Sequence, residues 1–330
     1  MKILVIQTAF AGDLVLMLPF IYTLRFNFPD SRLDIIIKKG LSDLFKTVKE
    51  INNIFELDKK SISETIKLIK EIRLIKYDIA YMPHRSFRSG AIAFWGGIPE
   101  RIGFCKGGGK LFYTKKIKYR YNIHEIDRNF DLLGDKYQYI REFSYRNTDF
   151  IKDKDIKLPE DFIVISPGAK WATKRWPFER FGELGRKIIN NYGIFVVITG
   201  EKSEEEICKK TEDIINIKDR VLNMCGRTSL SDLMFIISKA RVVIANDSAN
   251  VHIASSLNVP SICVMGPTVK EFGFYPLYSD SIVCETDLYC RPCSPHGPNK
   301  CPGKHFKCMK SITPDYVYTQ FEELINKKEK

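Results

Sequence analysis

The chain has 330 residues, which is enough for two α/β domains of ordinary size. A composition of 44% hydrophobic and 28% charged residues is that of a folded globular protein and excludes intrinsic disorder. The net charge of +12 favours a polyanionic partner, either nucleic acid or a membrane face with anionic lipid or phosphorylated glycolipid. No recognisable nucleic-acid-binding module is present, but charge alone does not choose between nucleic acid and a membrane face.

The first residues are not expected to form a signal peptide, because Gln7 interrupts the apolar run after Lys2. The longest apolar run, residues 14–24, contains Pro19 and is too short to span a bilayer. Nine cysteines without a secretory signal indicate reduced thiols or metal ligands. These features predict a cytoplasmic protein.

The chain begins with a predicted buried strand, residues 2–7, followed by a helix from about Leu14 to Arg25. Gly12 permits a tight turn between them, and Asp13 falls at the helix N-terminus, where a carboxylate is electrostatically favoured. Asp13 could therefore serve only as a helix cap. The absence of a G-x-G-x-x-G pattern argues against a nicotinamide-binding first domain.

Two further strands, residues 34–37 and 79–82, alternate with helical stretches near 42–50 and 61–75, which predicts a doubly wound parallel sheet. Arg85 and Arg88 follow the second of these strands. Their guanidinium groups could bind acceptor phosphates or carboxylates, or could simply be solvated at a helix start.

Residues 106–121 are basic and contain no acidic residue. Aromatic side chains are interleaved, and three glycines at 107–109 predict a flexible start. The cations are Lys106, Lys110, Lys115, Lys116, Lys118 and Arg120. Such a segment is usually a solvated face, but this composition also suits docking onto an anionic glycolipid at a membrane.

Residues 141–159 are polar and predict an interdomain linker. The D-x-D pattern of Asp153 and Asp155 falls inside it and is expected there by chance. A second domain then begins with strand 162–166 and a glycine-containing loop that ends in Lys174-Arg175-Trp176-Pro177. Such a loop can hold a diphosphate and neutralise its charge, or can be a surface loop anchored by tryptophans.

Glu201 and Glu204 follow the next predicted strand, 194–199. Each could hydrogen-bond ribose hydroxyls, or could only complement a helix dipole. Farther along, a strand ending at Ala245 is followed by Asn246-Asp247-Ser248 and a helix to about Leu257. A helix N-terminus at the carboxyl edge of a parallel sheet attracts phosphate, and His252 could reach the same anion. An ordinary capped strand–helix–strand unit is the alternative.

Four cysteines near the end, Cys290, Cys293, Cys301 and Cys308, could bind a structural Zn²⁺, although their spacing is irregular. Packed free thiols and a redox role are the alternatives. A last helix, from Thr313 to about Asn326, is expected to cross back onto the first domain.

Several of these segments resemble the ADP-heptose:lipopolysaccharide heptosyltransferases, glycosyltransferase family 9. The segments are Ala11-Gly12-Asp13-Leu14, GIPERIGF at 97–104, PGAKWATKRWP at 167–177, and NDSANVH with GPT at 246–268. Ala249 and Asn258 depart from the pattern, since glycine is usual at both positions. The resemblance implies a GT-B fold: an acceptor domain at 1–150 and a nucleotide-sugar domain at 151–311, both Rossmann-like and facing a cleft, with a C-terminal helix at 312–330.

The resemblance further implies an inverting transfer of heptose from ADP-heptose to the lipopolysaccharide inner core, on Kdo-lipid A or a heptosyl acceptor. Asp13 would be the general base, and no metal or cofactor would be required. The enzyme would work at the cytoplasmic face of the inner membrane, against its anionic inner leaflet. The expected donor-binding residues are Thr173, Lys174, Glu201, Glu204, Thr228, Asp247, Ser248, Ala249 and His252. The expected acceptor-binding residues are Arg85, Arg88, Lys115, Lys116 and Arg120.

Two rival interpretations remain at this level. The same scaffold could use another nucleotide sugar or another surface-glycan acceptor. From a different class, the basic face and the cysteines could belong to a zinc-stabilised nucleic-acid-binding protein, whose binding would depend strongly on salt.

Overall fold

The computed structural model describes residues 1–148 and 156–328, so the D-x-D pattern at 153–155 lies outside the described residues. The chain forms two compact units, Met1–Asp149 and Phe150–Lys330. Each unit contains one six-stranded sheet in which every pairing is parallel. The predicted doubly wound α/β class is therefore confirmed.

The sheet of unit 1 has the strand order β3-β2-β1-β4-β5-β6. Its strands are β1 (Lys2–Gln7), β2 (Arg32–Lys38), β3 (Asn53–Leu57), β4 (Ile79–Met82), β5 (Glu100–Phe104) and β6 (Lys115–Ile117). In the central strand β1, Ile3 pairs with Leu33 on one side and Ile79 on the other. Residues 3–7 of this strand are all buried, as expected for a parallel strand covered on both faces.

The helices of unit 1 are α1 (Ala11–Val15), α2 (Leu18–Asn27), α3 (Ile62–Ile75), α4 (Phe87–Trp95) and α5 (Glu125–Asp131). The single helix predicted from Leu14 to Arg25 is in fact two, because Pro19 lies in the first turn of α2 and has no N–H to donate to an earlier turn. The helix predicted near 42–50 is only a short 3₁₀ turn, Ser42–Leu44. Helix α3 begins after Ser61, whose hydroxyl accepts a hydrogen bond from the Glu64 N–H at 3.1 Å.

The sheet of unit 2 has the order β12-β11-β10-β7-β8-β9. Its strands are β7 (Phe162–Ser166), β8 (Phe195–Ile198), β9 (Val221–Asn223), β10 (Val243–Asn246), β11 (Ser261–Val264) and β12 (Ile282–Cys284). Its helices are α6 (Phe178–Tyr192), α7 (Glu205–Ile215), α8 (Leu230–Lys239), α9 (Ala249–Ser256), α10 (Lys307–Lys310) and α11 (Pro314–Lys328). Numbered within each unit, both sheets have the order 3-2-1-4-5-6 of dinucleotide-binding folds.

The last helix, α11, packs within unit 2. Phe321 is fully buried in that core, and its ring centroid lies 5.5 Å from that of Tyr192 on α6. The Asn191 amide donates a hydrogen bond to the Tyr318 hydroxyl at 2.6 Å. The contacts of α11 with α6 thus make it part of the second core.

The glycine-containing segment after β5 is packed, although its sequence predicts a flexible loop. Gly108–Leu111 forms a 3₁₀ turn against α4. A Cβ on Gly90 of α4 would lie only 2.8 Å from the Gly109 carbonyl oxygen, so the close approach depends on the absence of a side chain there. The chain then continues into the edge strand β6, which holds Lys115 and Lys116 exposed.

Helix α11 provides a test of the second core. We expect Phe321→Ala to lower the free energy of unfolding by about 3–5 kcal/mol, because it removes a fully buried aromatic ring. Urea unfolding followed by circular dichroism measures this change. Tyr316→Ala on the exposed face of the same helix is the control and should change the stability by less than about 0.5 kcal/mol. Equal effects of the two substitutions would contradict the packing described here.

Candidate functional site

Each sheet has a point where the strand order reverses, between β1 and β4 in unit 1 and between β7 and β10 in unit 2. Open α/β sheets bind ligands at such points, beyond the carboxyl ends of the strands. The segments that follow these four strands contain Asp13, Arg85, Lys174 and Asp247. Four of the predicted site residues therefore lie on loops where ligands are expected.

The loop after β7 is held in place by the side chain of Asn246, which ends β10 and is fully buried. Its Oδ1 accepts a hydrogen bond from the Trp176 N–H at 2.8 Å. Its Nδ2 donates to the carbonyl oxygens of Pro167 at 2.9 Å and Gly168 at 3.0 Å. One amide thus ties both ends of the 167–176 loop to the neighbouring strand.

Lys174 reaches from this loop to Asp247. Its Nζ lies 2.6 Å from Asp247 Oδ2, which also accepts a hydrogen bond from the Thr268 hydroxyl at 2.7 Å. Burial acts to raise the pKa of Asp247, but the Lys174 ammonium, both hydrogen bonds and His252 hold it below its usual value. Asp247 is therefore a buried carboxylate that remains ionised and orients the Lys174 ammonium.

The N-terminus of α9 lies directly beyond Asp247. Ser248 is the N-cap residue, and its buried Oγ has no hydrogen-bond partner among the described residues. The first N–H groups of any α-helix lack partners within the helix and carry its positive dipole end. His252, buried one turn later, lies close enough to Asp247 to lower its pKa. This end of α9 is suited to an anion.

The two departures from the family pattern have different physical consequences. Asn258 has φ +58°, a left-handed conformation that glycine adopts freely and that asparagine tolerates better than most residues. It therefore preserves the turn after α9. Ala249 is the first residue of α9, where helical geometry accepts a methyl group.

Glu204 and Glu201 differ in their environments. The Glu204 carboxylate accepts a hydrogen bond from the Glu201 N–H at 2.9 Å and packs against Gly168, where a Cβ would lie 2.1 Å from its Cδ. Burial raises the pKa of Glu204. Glu201 is exposed after the end of β8. Of the two, Glu204 has a structural contact to the 167–176 loop, whereas Glu201 is accessible to a ligand.

The positions of the two other predicted donor residues give less support to a role in binding the donor. The Thr173 side chain is buried and donates its hydrogen bond to the Pro298 carbonyl oxygen, so it links two loops. Thr228 is half-buried in the loop before α8.

In unit 1, Asp13 is the third residue of the short helix α1. Its Oδ2 accepts a hydrogen bond from the Phe10 N–H at 3.1 Å, which is the capping role that its sequence position predicts. Directly after β1, the Thr8 hydroxyl lies 3.0 Å from Nδ1 of His84, which follows β4. Burial, together with the charges of Lys59 and Arg85, lowers the pKa of His84 to about 4. The imidazole is thus neutral at pH 7.

A buried ion pair lies close to Asp13. Arg128 pairs with Glu125, and both side chains are almost fully buried. Burial raises the pKa of Glu125 to about 7 and the charge of Asp13 adds to this, against the opposing effects of Arg128 and Arg85. The guanidinium carbons of Arg85 and Arg128 lie 4.1 and 4.6 Å from the centroid of the Tyr119 ring. The result is a cluster in which two guanidinium groups lie over one aromatic ring beside the Glu125 carboxyl, and the Asp13 carboxylate acts on Glu125.

The sequence reasoning did not assign functional roles to several of these residues. Asn246, His84, Tyr119, Glu125 and Arg128 were missed, although Glu125 and Arg128 belong to the segment HEIDRN at 124–129. Glu125 and Arg128 are distinguished by their burial. Asn246 and Tyr119 are distinguished by contacts with segments that are distant in the chain. A glutamate and an arginine three residues apart ordinarily indicate only a surface helix pair.

The site geometry can be compared with known proteins. A family model described as "Glycosyltransferase family 9 (heptosyltransferase)" matches residues 65–301, more than half of the chain. The chain belongs to glycosyltransferase family 9. The predicted family and the predicted enzyme class, a glycosyltransferase, are thereby confirmed.

Individual relatives agree with this membership. The chain is 26% identical to "Lipooligosaccharide heptosyltransferase 2" of Campylobacter jejuni subsp. jejuni serotype O:2, with 98% of both chains covered. It is also 26% identical to "Lipopolysaccharide heptosyltransferase 2" of Escherichia coli (strain K12), with 82% of this chain and 84% of the relative covered. These names support an assignment to heptosyltransferases of lipopolysaccharide biosynthesis.

Solved structures show the same fold. The structure of E. coli ADP-heptose lps heptosyltransferase II matches with a TM-score of 0.81 at 22% identity, covering 100% of both chains. E. coli heptosyltransferase WaaC with ADP-2-deoxy-2-fluoro heptose matches with a TM-score of 0.76 at 18% identity, covering 98% of this chain and 99% of the other. The predicted GT-B fold class is confirmed.

The remaining predicted acceptor residues of this glycosyltransferase lie in separate parts of unit 1. Arg88 donates a hydrogen bond to the Lys59 carbonyl oxygen at 2.5 Å. Arg120 forms an ion pair with Asp131 on α5, with its Nε 2.8 Å from Asp131 Oδ2. Lys115 and Lys116 lie exposed on the sheet edge. Among the predicted acceptor residues, Arg85 is the one placed in the cluster beside Asp13.

The zinc hypothesis for the four C-terminal cysteines has no support. Within residues 1–148 and 156–328, no group of three or more His, Cys, Asp or Glu side chains could hold a metal ion. Cys290 Sγ lies 3.9 Å from His305 Nε2, whereas Cys293 Sγ donates to the Cys290 carbonyl oxygen at 3.7 Å. Cys308 packs in the apolar core of unit 2. All four are free thiols, of which Cys308 is buried and the other three are half-buried.

The buried Glu125 generates a prediction about pH. Its raised pKa means that the native state binds this proton more tightly than the unfolded chain, so stability is lost as pH rises from about 4.5 to about 7. We expect wild-type protein to lose about 1–3 kcal/mol more between pH 5 and 8 than Glu125→Gln, measured by urea unfolding. Parallel pH dependences for the two proteins would contradict the assignment.

Proposed function

We propose that this enzyme transfers a heptose from ADP-heptose to a lipopolysaccharide inner-core acceptor, either Kdo-lipid A or a heptosylated form of it. The observation that carries the proposal is the ion pair of Lys174 with Asp247, the residue before the N-cap of α9, beyond the carboxyl ends of β7 and β10. Such a site suits a diphosphate. The names of the relatives support heptose as the sugar and a lipopolysaccharide or lipooligosaccharide as the class of acceptor.

The donor would lie along the carboxyl edge of the sheet of unit 2. Its diphosphate would contact the Lys174 ammonium, the Ser248 hydroxyl and the N–H of Ala249, with His252 adding a donor nearby. Glu201 would accept hydrogen bonds from the ribose hydroxyls, and the backbone near Thr228 would border the adenine. Asp247, which is buried and ionised, would act by holding Lys174 in position.

We propose a metal-independent, inverting single displacement. Asp13 would accept the proton of the acceptor hydroxyl as that oxygen attacks the anomeric carbon. The bond from the anomeric carbon to the ADP phosphate would break in the same step. The charge left on ADP would be stabilised by Lys174 and by the α9 N-terminus, which supply the positive charge that a metal provides elsewhere. The hydrogen bond from the Phe10 N–H would keep the Asp13 carboxylate oriented.

The acceptor would be recognised through its anionic groups. The guanidinium of Arg85, stacked on Tyr119, is preoriented to bind a carboxylate or a phosphate. Lys115, Lys116 and the other cations of residues 106–121 would attract the glycolipid and the anionic inner-leaflet surface. The enzyme would then act at the cytoplasmic face of the inner membrane.

A substitution of Lys174 tests the donor site separately from the transfer reaction. Lys174→Met removes a charge-assisted contact to the diphosphate, so we expect the Kd for ADP to rise about 10- to 100-fold in isothermal titration calorimetry. Lys218→Met, at an exposed position of the same unit, is the matched control and should bind ADP like the wild type. Unchanged affinity in Lys174→Met would remove Lys174 from the donor site.

The proposed reaction is tested by measuring ADP release from ADP-heptose with and without a Kdo-lipid A acceptor. We expect acceptor-dependent release by the wild type and a fall of about 10²–10⁴-fold in Asp13→Asn, which retains the shape of the side chain but cannot take the proton. ADP affinity should be unaffected by this substitution. Asp30→Asn, at an exposed carboxylate of unit 1, is the control.

The other outcomes separate the alternatives. Tight ADP binding without heptose transfer would contradict the proposed sugar or acceptor and would favour another nucleotide sugar or surface glycan. Normal turnover by folded Asp13→Asn would contradict the role of Asp13 as the base.

A further inference from the structure

Unit 1 exposes a group of large apolar side chains around Phe112. Phe87, Phe94 and Trp95 of α4 all have rings whose centroids lie within 6.1 Å of the Phe112 centroid. Leu111, the residue before Phe112, is 71% exposed. The side chains of Phe87, Phe94, Trp95 and Leu111 are called the aromatic face here.

The aromatic face is held rigidly although it is exposed. The 3₁₀ turn Gly108–Leu111 packs closely on α4, and Gly108 approaches the Phe87 side chain so closely that a Cβ would lie 3.0 Å away. The Arg101 guanidinium lies over the Phe94 ring at 5.4 Å and donates to the Phe112 carbonyl oxygen at 2.6 Å. These exposed rings are therefore presented by a packed scaffold. A cluster of exposed large apolar side chains ordinarily marks an interaction site.

The charges beside the aromatic face indicate the kind of partner. Lys110 adjoins Leu111, and Lys115, Lys116 and Lys118 follow within a few residues, all of them exposed. None of these four lysines forms an ion pair with a described residue, whereas many other cations of the chain do. Rigid aromatic rings beside unneutralised lysines match the interfacial zone of an anionic bilayer.

We propose that the aromatic face inserts into the headgroup region of an anionic phospholipid bilayer, with the neighbouring lysines on the lipid phosphates. This proposal rests on the proposed function only for its premise that the acceptor is a membrane lipid. It goes beyond that function, because it assigns the membrane contact to apolar insertion by four named side chains as well as to charge. The partner is the bulk phospholipid surface, without the glycolipid acceptor.

The test uses the full chain and vesicles that contain no glycolipid. Vesicles of phosphatidylcholine alone are compared with vesicles containing phosphatidylglycerol, by co-sedimentation and by tryptophan fluorescence. We expect binding to the anionic vesicles with a blue shift of the emission, and we expect Trp95→Phe to lose that shift. Of the other two tryptophans, Trp176 is fully buried and Trp171 lies in the 167–176 loop, outside the aromatic face, so neither should respond.

Variants separate insertion from charge. Trp95→Ala combined with Leu111→Ala should lower the partition coefficient about tenfold or more, and Lys110→Glu combined with Lys118→Glu should do likewise. Tyr289→Ala, at a side chain that is 96% exposed in unit 2, and Lys218→Glu are the matched controls and should bind like the wild type. Turnover of ADP-heptose with a delipidated, soluble acceptor should be unchanged in the Trp95/Leu111 variant. A failure of the proposed reaction would therefore be seen independently of vesicle binding.

Three results would overturn the proposal. The first is an absence of binding to anionic vesicles. The second is binding that responds to the lysine variants but not to Trp95→Ala/Leu111→Ala, because the contact would then be purely electrostatic. The third is a concentration-dependent dimer in analytical ultracentrifugation that the Trp95/Leu111 variant abolishes, because a second copy of the chain would then cover the aromatic face.

Discussion

The proposed donor site depends on one buried amide. Asn246 satisfies three backbone groups on the two ends of the 167–176 loop, none of which belongs to the sheet ladder. A buried polar group without a partner is costly, so these three bonds fix the loop in one position relative to β10. In the proposed donor site, Lys174 and the N-terminus of α9 bind the same anion, and this requires the loop to be fixed.

The two points where the strand order reverses differ in the charges of their buried groups. In unit 2, Asp247 and Lys174 form a buried pair whose acidic member remains ionised, so the ammonium is oriented without being neutralised by proton transfer. In unit 1, Asp13 lies near Glu125, a buried carboxyl whose pKa is raised to about 7. A diphosphate needs fixed positive charge. The raised pKa of Glu125 means that this carboxyl keeps its proton more readily than an ordinary glutamate, which reduces the negative charge close to Asp13.

The sequence predicted the strands and the loops after them well, because buried parallel strands are continuous apolar runs and their ends are marked by glycine, proline and cap residues. It did not predict the break between α1 and α2 or the packing of the 107–109 glycines, since both follow from local geometry against other segments. The contacts of Asn246 and Tyr119 join segments that are distant in the chain, and Glu125 is distinguished by its burial; neither is visible in one sequence. Asp13, Lys174 and Asp247 could be chosen as candidates from the sequence because the motifs that contain them resemble those of the family.

The most direct test of this account is the affinity of Asn246→Asp for ADP. This substitution keeps the shape of the side chain but replaces the donor to the Pro167 and Gly168 carbonyl oxygens by an acceptor. Asn191→Asp, which changes an amide on α6, is the matched control. We predict that the Kd for ADP rises at least about tenfold in folded Asn246→Asp and does not change in Asn191→Asp. Wild-type affinity in a folded Asn246→Asp protein would contradict the claim that this amide organises the donor site.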